Sequence, residues 1–368
     1  MVYAVVTGGG TSGHVIPAIA ILEGLVEAGH SPDELRYVGS RRGVEKSLFA
    51  TSNIESEYLP ISGLQRSLSP KGIARNAVLP FRLFRSRILA RKLMKKWQPS
   101  VVVSVGGYAS EPMSAAALAA NVPLICVSYD RTPGLATRRQ AQRATASAVA
   151  FADSPLPRAI HTGAPVRAEL RHLDVANRRV AARNELQIPV DALVVTIVGG
   201  SLGSGVLNDM VPHLLKTLSQ SSVKNIFVFH VAGVRNEGSY MPFVPEVGYR
   251  RVGYESRMAD LYASTDVLIS RAGASTIAEI ATVGIAAVVV PWTGAADDHQ
   301  TKNASWLADN RAAILCTENQ CSNGELIASV LQLVENEEIR VDFANKAREM
   351  GDLHRSGALI QAIENAAI

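Results

Sequence analysis

Residues 193–205, LVVTIVGGSLGSG, repeat the pattern of residues 3–14, YAVVTGGGTSGH. In both stretches an apolar strand runs into consecutive glycines, small polar residues, another glycine and the beginning of a helical segment. Glycine-rich turns of this kind join the first strand to the first helix in Rossmann-like domains. Because the turn occurs once in each half of the chain, the sequence predicts two such domains.

Length and composition agree with two domains. The chain has 368 residues, of which 47% are hydrophobic and 19% are charged, and this length exceeds one ordinary core. Apolar runs alternate with amphipathic stretches, which is typical of parallel sheets built from β-α-β units. We place the boundary near GAPVR and expect one domain at 1–163, joined by a C-terminal helix at about 346–368, and a second at 164–345.

Several classes of protein are disfavoured by composition. No apolar run approaches the roughly 18–20 residues that a membrane-spanning helix needs, and the N-terminal strand is too short for a signal peptide. The three cysteines, Cys126, Cys316 and Cys321, are too few for a disulfide framework and have no flanking metal ligands. We therefore expect a cytoplasmic protein without a structural metal.

Positive charge is concentrated in one segment, although the net charge is only +4. Between Glu57 and Glu111 there is no acidic residue but there are ten lysines and arginines, and eight of them are interspersed with apolar side chains over 73–97. This pattern predicts a basic helix with an apolar face. Such a helix either packs one side on its own core or also meets anionic lipid headgroups. Nucleic acid is not expected, because no recognition motif accompanies the charge.

The first glycine loop, Gly8–Gly13, formally matches the dinucleotide fingerprint G-x-G-x-x-G. A nicotinamide enzyme also needs an acidic residue after the second strand, where this chain has Ser40–Arg42. An NADP-dependent oxidoreductase is therefore the minor alternative. Two Rossmann-like domains correspond better to the glycosyltransferase B architecture: an α/β protein whose two parallel-sheet domains face each other across a cleft.

The second half contains the better nucleotide site, in SRAGASTIAE at 270–279. Residues 273–276 would place free N–H groups of a helix N-terminus against a diphosphate. Glu279 has two interpretations at this stage. Its carboxylate either accepts hydrogen bonds from both hydroxyls of a ribose or closes a capping box with Thr276.

Six segments, in chain order, resemble motifs of the MurG family of glycosyltransferases, glycosyltransferase family 28. They are GGGTSGHVIPAIA at 8–20, SVGGYASEP at 104–112, GAPVR at 163–167, GGSLGS at 199–204, SRAGASTIAE at 270–279 and HQTKNA at 299–304. The resemblance spans nearly the whole chain. It implies inverting transfer of N-acetylglucosamine from UDP-N-acetylglucosamine to the 4-hydroxyl of undecaprenyl-pyrophosphoryl-N-acetylmuramyl-pentapeptide in peptidoglycan synthesis, without metal or cofactor. It also implies peripheral docking on anionic lipid at the cytoplasmic face of the membrane through about 73–97.

The same resemblance implies roles for individual residues. UDP-N-acetylglucosamine would be held by Arg167, Ser201, Tyr254, Glu255, Ala274, Ser275, Thr276, Glu279, Gln300 and Asn303. The acceptor and its diphosphate would lie against Thr11, Ser12, Gly13, Gly107, Tyr108 and Asp130. His14 is the candidate catalytic base, because an imidazole titrates near neutral pH; the alternative is a histidine that caps a helix beginning at Val15.

Departures from the family pattern cluster on the acceptor side. VSYDRTPG at 127–134 places Ser128 and Asp130 where the family usually has Glu and Asn, and Ser12 replaces a glycine of the first loop. A related transferase that uses a different lipid-linked or secondary-metabolite acceptor is therefore an alternative. A catalytically silent scaffold with the same fold is another.

Overall fold

The computed structural model describes residues 1–41, 45–50, 52–63, 76–200, 202–236 and 244–367, without the side chains of Ser12 and Ala296. The chain forms two compact units. The first contains Met1–Ala168 and Ser356–Ile368, and the second contains Glu169–Arg355. Only the last part of the predicted C-terminal segment thus belongs to the first unit.

The first unit is built on a seven-stranded parallel sheet with the strand order β3-β2-β1-β4-β5-β6-β7. Its strands are β1 (Ala4–Thr7), β2 (Leu35–Ser40), β3 (Glu55–Leu59), β4 (Val101–Ser104), β5 (Leu124–Ser128), β6 (Ala146–Val149) and β7 (Ala159–His161). Its helices are α1 (Ser12–Glu27), α2 (Glu45–Leu48), α3 (Leu79–Trp97), α4 (Glu111–Ala119), α5 (Leu135–Ala141) and α16 (Ala358–Ala366). The short helix α6 (Ala168–Arg171) begins at the last residue of this unit before the chain enters the second.

The second unit has a six-stranded parallel sheet with the order β10-β9-β8-β11-β12-β13. Its strands are β8 (Leu193–Val198), β9 (Ile226–Val231), β10 (Val247–Val252), β11 (Val267–Arg271), β12 (Ala286–Val290) and β13 (Ile314–Leu315). Its helices are α7 (Val175–Glu185), α8 (Gly205–Ser219), α9 (Met258–Ser264), α10 (Ala274–Val283), α11 (His299–Ala308), α12 (Glu318–Ser322), α13 (Glu325–Glu335), α14 (Glu337–Met350) and α15 (Asp352–Arg355).

The central strands are short apolar runs because helices cover both faces of each sheet. Strands β1, β4, β5, β9 and β12 are buried along their whole length, as parallel sheets require. In the first unit, Met94 and Trp97 of α3 and Met113 of α4 pack with Val102 of β4. In the second unit, the apolar faces of α8 and α13 pack on β8, β9, β11 and β12. The predicted α/β fold with two Rossmann-like domains is confirmed.

Each sheet reverses its winding beside its first strand. The reversal lies between β1 and β4 in the first unit and between β8 and β11 in the second. Ligands of open α/β sheets bind outside the carboxyl ends of the strands at this switch point. The loops that follow these four strands contain four of the six motifs, at 8–20, 104–112, 199–204 and 270–279. Each unit therefore directs two motifs to its own switch point.

Among the described residues, no helix combines the length and apolar character needed to cross a membrane.

Candidate active site

Two glycine loops of the first unit, after β1 and after β4, pack closely against each other. A Cβ atom on Gly8 would lie 2.1 Å from Cγ2 of Val105, and one on Gly107 would lie 2.7 Å from the carbonyl oxygen of Gly9. Gly107 also has φ +73°, a conformation that side chains disfavour. The loops after β1 and β4 therefore form one surface, which only glycine allows.

His14 lies on this surface, half-buried in the first turn of α1. Its Nδ1 is 3.2 Å from Oγ1 of Thr11, and its ring stands 6.4 Å from the ring of Tyr129, centroid to centroid. A cavity of about 160 Å³ is lined by His14, Gly107, Tyr129 and Asp130, among others. Burial lowers the pKa of His14, and the charge of Asp130 partly opposes that shift. The imidazole is therefore neutral at pH 7.

The other predicted acceptor residues lie beside His14. The Tyr129 hydroxyl donates to the carbonyl oxygen of Gly13 over 2.6 Å, and the Tyr108 ring lies 2.4 Å from the Cβ position of Gly10. Helix α1 begins at Ser12 with Thr11 as its N-cap, so the alternative of a cap for a helix starting at Val15 is wrong. The structure thus brings the residues predicted for the acceptor side together. They are Thr11, the backbone of Ser12, Gly13, His14, Gly107, Tyr108 and Asp130.

A buried chain of hydrogen bonds supports the loop after β4, which contains Gly107. Ser104 Oγ donates to Gln140 Oε1 over 2.6 Å, and Gln140 Nε2 donates to Ser110 Oγ over 2.9 Å. Ser110 Oγ then donates to the carbonyl oxygen of Gly107 over 2.9 Å. This chain fixes the carbonyl that the positive φ of Gly107 turns inward. The sequence does not predict this role of Gln140, because nothing in the neighbouring residues indicates a contact with the loop.

Glu45 supports the first glycine loop and was also missed. It is fully buried at the start of α2, and its Oε1 accepts the N–H of Gly10 over 2.7 Å and the N–H of Ser40 over 3.4 Å. Its Oε2 is buried and makes no hydrogen bond within the described part of the chain. Burial of a carboxylate is costly unless the group is hydrogen-bonded, so the hydrogen bonds that Oε1 accepts from the N–H groups of Gly10 and Ser40 indicate a role for Glu45 in shaping the loop.

The predicted donor motif follows β11 in the second unit. Helix α10 has Gly273 as its N-cap, without a side-chain cap, and Thr276 is its third residue. The capping box between Thr276 and Glu279 is therefore wrong, because a box requires the threonine to be the N-cap. The first-turn N–H groups of Ala274, Ser275 and Thr276 have no acceptor within α10. The Ser275 Oγ is buried without a hydrogen-bond partner among the described residues.

Glu279 is held by a tyrosine from the preceding helix. The Tyr262 hydroxyl of α9 donates to Glu279 Oε2 over 2.8 Å. Burial, and then the charge of Glu279, raise the pKa of Tyr262 well above its ordinary value, so the hydroxyl remains a donor. The carboxylate is half-buried, and the neutral Tyr262 hydroxyl helps to orient it.

The remaining predicted donor residues differ in accessibility. Gln300 Oε1 accepts the Trp292 N–H over 2.9 Å, whereas Asn303 is fully buried in α11 and would reach a sugar only after a rearrangement. Tyr254 is exposed. The Glu255 carboxylate is bound by Arg257 Nε and Nη2 over 3.1 Å each, which leaves the backbone of this segment for a ligand.

Two predicted donor residues lie outside the described part of the second unit. Arg167 lies in the first unit, where its Nε donates to Glu23 Oε1 over 2.8 Å, while the Ala168 N–H donates to Glu23 Oε2 over 2.9 Å. Ser201 lies outside the described residues, as do residues 73–75 of the predicted basic helix.

A buried hydrogen-bond network around His230 supports the loop after β8, which contains Gly203. His230 at the end of β9 bridges the Tyr249 hydroxyl at 2.9 Å and Asn208 Oδ1 at 3.0 Å, and Asn208 Nδ2 donates to the carbonyl oxygen of Ala232 over 3.1 Å. That carbonyl lies 2.1 Å from the Cβ position of Gly203, so the network fixes the backbone against the loop. Burial, and then the charge of Arg251, lower the pKa of His230 to about 4.

Both halves of the chain match one family. The glycosyltransferase family 28 N-terminal domain matches residues 4–149, and the glycosyltransferase family 28 C-terminal domain matches residues 194–356. The chain belongs to glycosyltransferase family 28. It is a glycosyltransferase, as the resemblance of its motifs predicts.

Full-length relatives within the family carry one name. A protein of Shewanella loihica named UDP-N-acetylglucosamine–N-acetylmuramyl-(pentapeptide) pyrophosphoryl-undecaprenol N-acetylglucosamine transferase is 30% identical over 366 residues, covering 98% of this chain and 94% of that protein. A Burkholderia ambifaria protein of the same name is 34% identical over 351 residues, covering 94% of this chain and 91% of that one.

A solved structure agrees with this relationship. The crystal structure of Acinetobacter baumannii MurG superposes with a TM-score of 0.72 at 27% identity, covering 98% of this chain and 99% of that one. The UDP-GlcNAc 2-epimerase from Neisseria meningitidis, bound to UDP-GlcNAc, superposes with a TM-score of 0.67 at 14% identity, covering 99% of this chain and 100% of that one. The second similarity concerns the fold alone.

Proposed function

We propose that this chain transfers N-acetylglucosamine from UDP-N-acetylglucosamine to the 4-hydroxyl of undecaprenyl-pyrophosphoryl-N-acetylmuramyl-pentapeptide, with inversion and without a metal. The observation that carries the proposal is the common name of relatives that match nearly the whole chain at 30–34% identity. The grouping of the predicted motifs at the two switch points supports it independently.

The second unit holds the donor in this proposal. The diphosphate lies at the N-terminus of α10, where the free N–H groups and the positive end of the helix dipole favour anionic oxygens. The Ser275 hydroxyl, which has no hydrogen-bond partner in the described part of the chain, supplies a further donor. Glu279, oriented by Tyr262, accepts the ribose hydroxyls, and Gln300 contacts the sugar. These same N–H groups stabilise the charge that develops on the departing diphosphate.

The first unit holds the acceptor, and His14 acts as the base. The acceptor 4-hydroxyl attacks the anomeric carbon on the face opposite UDP while its proton passes to His14. Two observations support this role. The lowered pKa keeps the imidazole neutral. Nδ1 lies 3.2 Å from Thr11 Oγ1, so the tautomer with its proton on Nδ1 donates to Thr11 and leaves Nε2 able to accept the proton of the substrate. The glycine surface around Gly107 presents backbone N–H groups to the acceptor diphosphate.

Helix α3 supports docking on an anionic membrane at the cytoplasmic face. Its buried stripe of Ser86, Ala90, Met94 and Trp97 faces the core. On the opposite side Phe81, Phe84 and Ile88 are exposed, at 66%, 63% and 39%. The lysines and arginines between and after them are exposed as well: Arg85, Arg91, Lys92, Lys95 and Lys96. An apolar strip surrounded by cations suits the interface of an anionic bilayer.

Vesicle co-sedimentation tests the membrane part of the proposal. The protein should bind vesicles that contain anionic phospholipid more tightly than zwitterionic ones, and Phe84→Ser should reduce that binding. Val341→Ser is the control, because Val341 is also an exposed apolar residue but lies in the second unit. Equal binding by both vesicle types, or equal loss in both variants, would contradict docking through α3.

A transfer assay tests the site residues. With labelled UDP-N-acetylglucosamine and the lipid-linked muramyl-pentapeptide, His14→Ala should lose turnover while donor affinity is retained. Glu279→Ala should weaken donor binding. His213→Ala is the matched control, because His213 is an exposed histidine on α8. Normal turnover in His14→Ala would remove it as the base, and unchanged donor affinity in Glu279→Ala would remove the ribose contact.

A second candidate function keeps the donor and changes the acceptor. Asp130 lines the cavity beside His14 and puts a carboxylate where the family pattern has an amide, which disfavours an anionic group at that position. Binding of UDP-N-acetylglucosamine without transfer to the muramyl-pentapeptide lipid, together with restored transfer in Asp130→Asn, would favour this function.

A further inference from the structure

Two thiols lie next to each other in the second unit, outside the proposed substrate contacts. The Sγ atoms of Cys316 and Cys321 are 3.8 Å apart. Cys316 follows β13 and belongs to the buried hydrophobic core, whereas Cys321 lies in α12 and is half-buried. One thiol is therefore protected by the core, and its neighbour is accessible to a small reagent.

The charges around the pair make the two thiols unequal. The hydrogen bond from Cys316 lowers the pKa of Cys321, and the positive charge of Arg271 lowers it further, against burial and the charge of Glu318. The same hydrogen bond raises the pKa of Cys316, as do burial and the charges of Cys321 and Glu325. Cys321 is thus the nucleophile of the pair, because the thiolate is the reactive form.

The segment that carries Cys321 is short and tied to the donor side. Helix α12 starts after the capping box of Thr317 and is followed by Gly324 at φ +84°. Its first residue, Glu318, binds Nη2 of Arg271 over 2.6 Å and accepts the Thr293 hydroxyl over 2.5 Å. Arg271 directly precedes the loop into α10, and Thr293 lies on the connection from β12 to α11. A movement of α12 therefore acts on both segments.

We propose that Cys316 and Cys321 are a reversible dithiol–disulfide site whose oxidation weakens donor binding. The effect on the donor rests on the proposed function, whereas the thiol chemistry does not. The two sulfur atoms must approach from 3.8 Å to about 2.05 Å. Because α12 carries both Cys321 and Glu318, a shift of α12 that closes this gap displaces Glu318 relative to Arg271.

The oxidant is a low-molecular-weight disulfide such as oxidised glutathione. The Cys321 thiolate attacks one of its sulfur atoms, forms a mixed disulfide and expels one glutathione thiolate. Cys316 loses its proton and attacks the Cys321 sulfur, which forms the protein disulfide and expels the second glutathione. The two protein thiol protons end on the two released glutathione molecules, so the reagent disulfide is reduced as the protein pair is oxidised.

Mass spectrometry of the full chain tests the chemistry. After treatment with oxidised glutathione and alkylation under denaturing conditions, Cys316 and Cys321 should escape alkylation and be linked to each other, whereas Cys126 should be alkylated. Cys126→Ser should still form the link, and Cys316→Ser should stop at a glutathione adduct on Cys321. A stable glutathione adduct on Cys321 in the chain without substitutions would overturn the proposal, as would full alkylation of both Cys316 and Cys321.

Calorimetric titration with UDP-N-acetylglucosamine tests the consequence. The oxidised chain should bind about fivefold more weakly than the reduced chain, and dithiothreitol should restore affinity. Cys321→Ser should not respond to oxidised glutathione. Equal affinity in the linked and reduced chains would overturn the effect on the donor. Absence of binding in both forms would instead refute the donor assignment, while mass spectrometry decides the disulfide separately.

Discussion

Acidification should destabilise the second unit through His230. The folded-state pKa of His230 is about 4, against an ordinary value of 6.5. The unfolded chain therefore binds more protons between these values, so stability is complete above about pH 6.5 and falls as the pH decreases toward 4. The full difference of about 2.5 pH units corresponds to about 3.4 kcal/mol at 1.36 kcal/mol per unit. Between about pH 7.5 and pH 5.0, the expected loss is about 2 kcal/mol.

The tryptophans allow this loss to be measured in the second unit alone. Trp97 is the only tryptophan of the first unit, and Trp292 and Trp306 belong to the second. In a Trp97→Phe background, urea unfolding followed by tryptophan fluorescence therefore reports on the second unit. His14, whose pKa is also lowered, is present in every variant compared, so its contribution cancels in the comparison.

The variant His230→Gln removes the titrating group. It should be less stable than its parent at pH 7.5, because Gln cannot bridge both Tyr249 and Asn208. Between pH 7.5 and pH 5.0, however, it should lose about 2 kcal/mol less than the parent. His213→Gln, at an exposed position, should keep the parent's pH dependence. If His230→Gln and the parent lose equal stability, the reasoning from burial is refuted.

Three further substitutions test the loops and the donor carboxylate. Tyr262→Phe should weaken UDP-N-acetylglucosamine binding about tenfold in calorimetry, because Glu279 loses the hydrogen bond that orients it; unchanged affinity would contradict that role. Glu45→Gln should lower the transfer rate about tenfold at unchanged donor affinity, because the Gly10 N–H loses a charged acceptor; an equal loss of donor binding would contradict an acceptor-side role. Gly107→Ala should cost about 2 kcal/mol in urea unfolding, since its φ is +73° and its Cβ meets backbone; full stability would contradict the close approach of the loops.

Interior elements could be predicted from the sequence because their patterns are local. The amphipathic stretches at 205–219 and 274–283 predict helices, which the structure has as α8 and α10, and the apolar runs predict the central strands. The sequence does not predict strands β3, β7 and β13 in this way, and all three lie at sheet edges. Strand β3 carries two glutamates, β7 is exposed throughout, and β13 has two residues. Such strands lack the continuous apolar run that marks a buried one.

In the candidate site, too, features set by neighbouring residues could be predicted, and features set by distant residues could not. The glycine loops were predictable because a strand, glycines and a helix are adjacent in the chain. Their supports were not, because Glu45 is 35 residues from Gly10, and Tyr262 approaches Glu279 from the preceding helix. No spacing rule connects such pairs, and only the packed structure shows that Thr276 is too far inside α10 to be an N-cap.

The most direct test of the proposed transfer is the structure of its product. The purified chain, given UDP-N-acetylglucosamine and the lipid-linked muramyl-pentapeptide without added metal, should form a disaccharide with a β-linkage to the 4-hydroxyl, as NMR of the released sugar would show. The matching acceptor that lacks the 4-hydroxyl should give no product. An α-linkage, a linkage at another position, or equal reaction of the 4-deoxy acceptor would contradict the account.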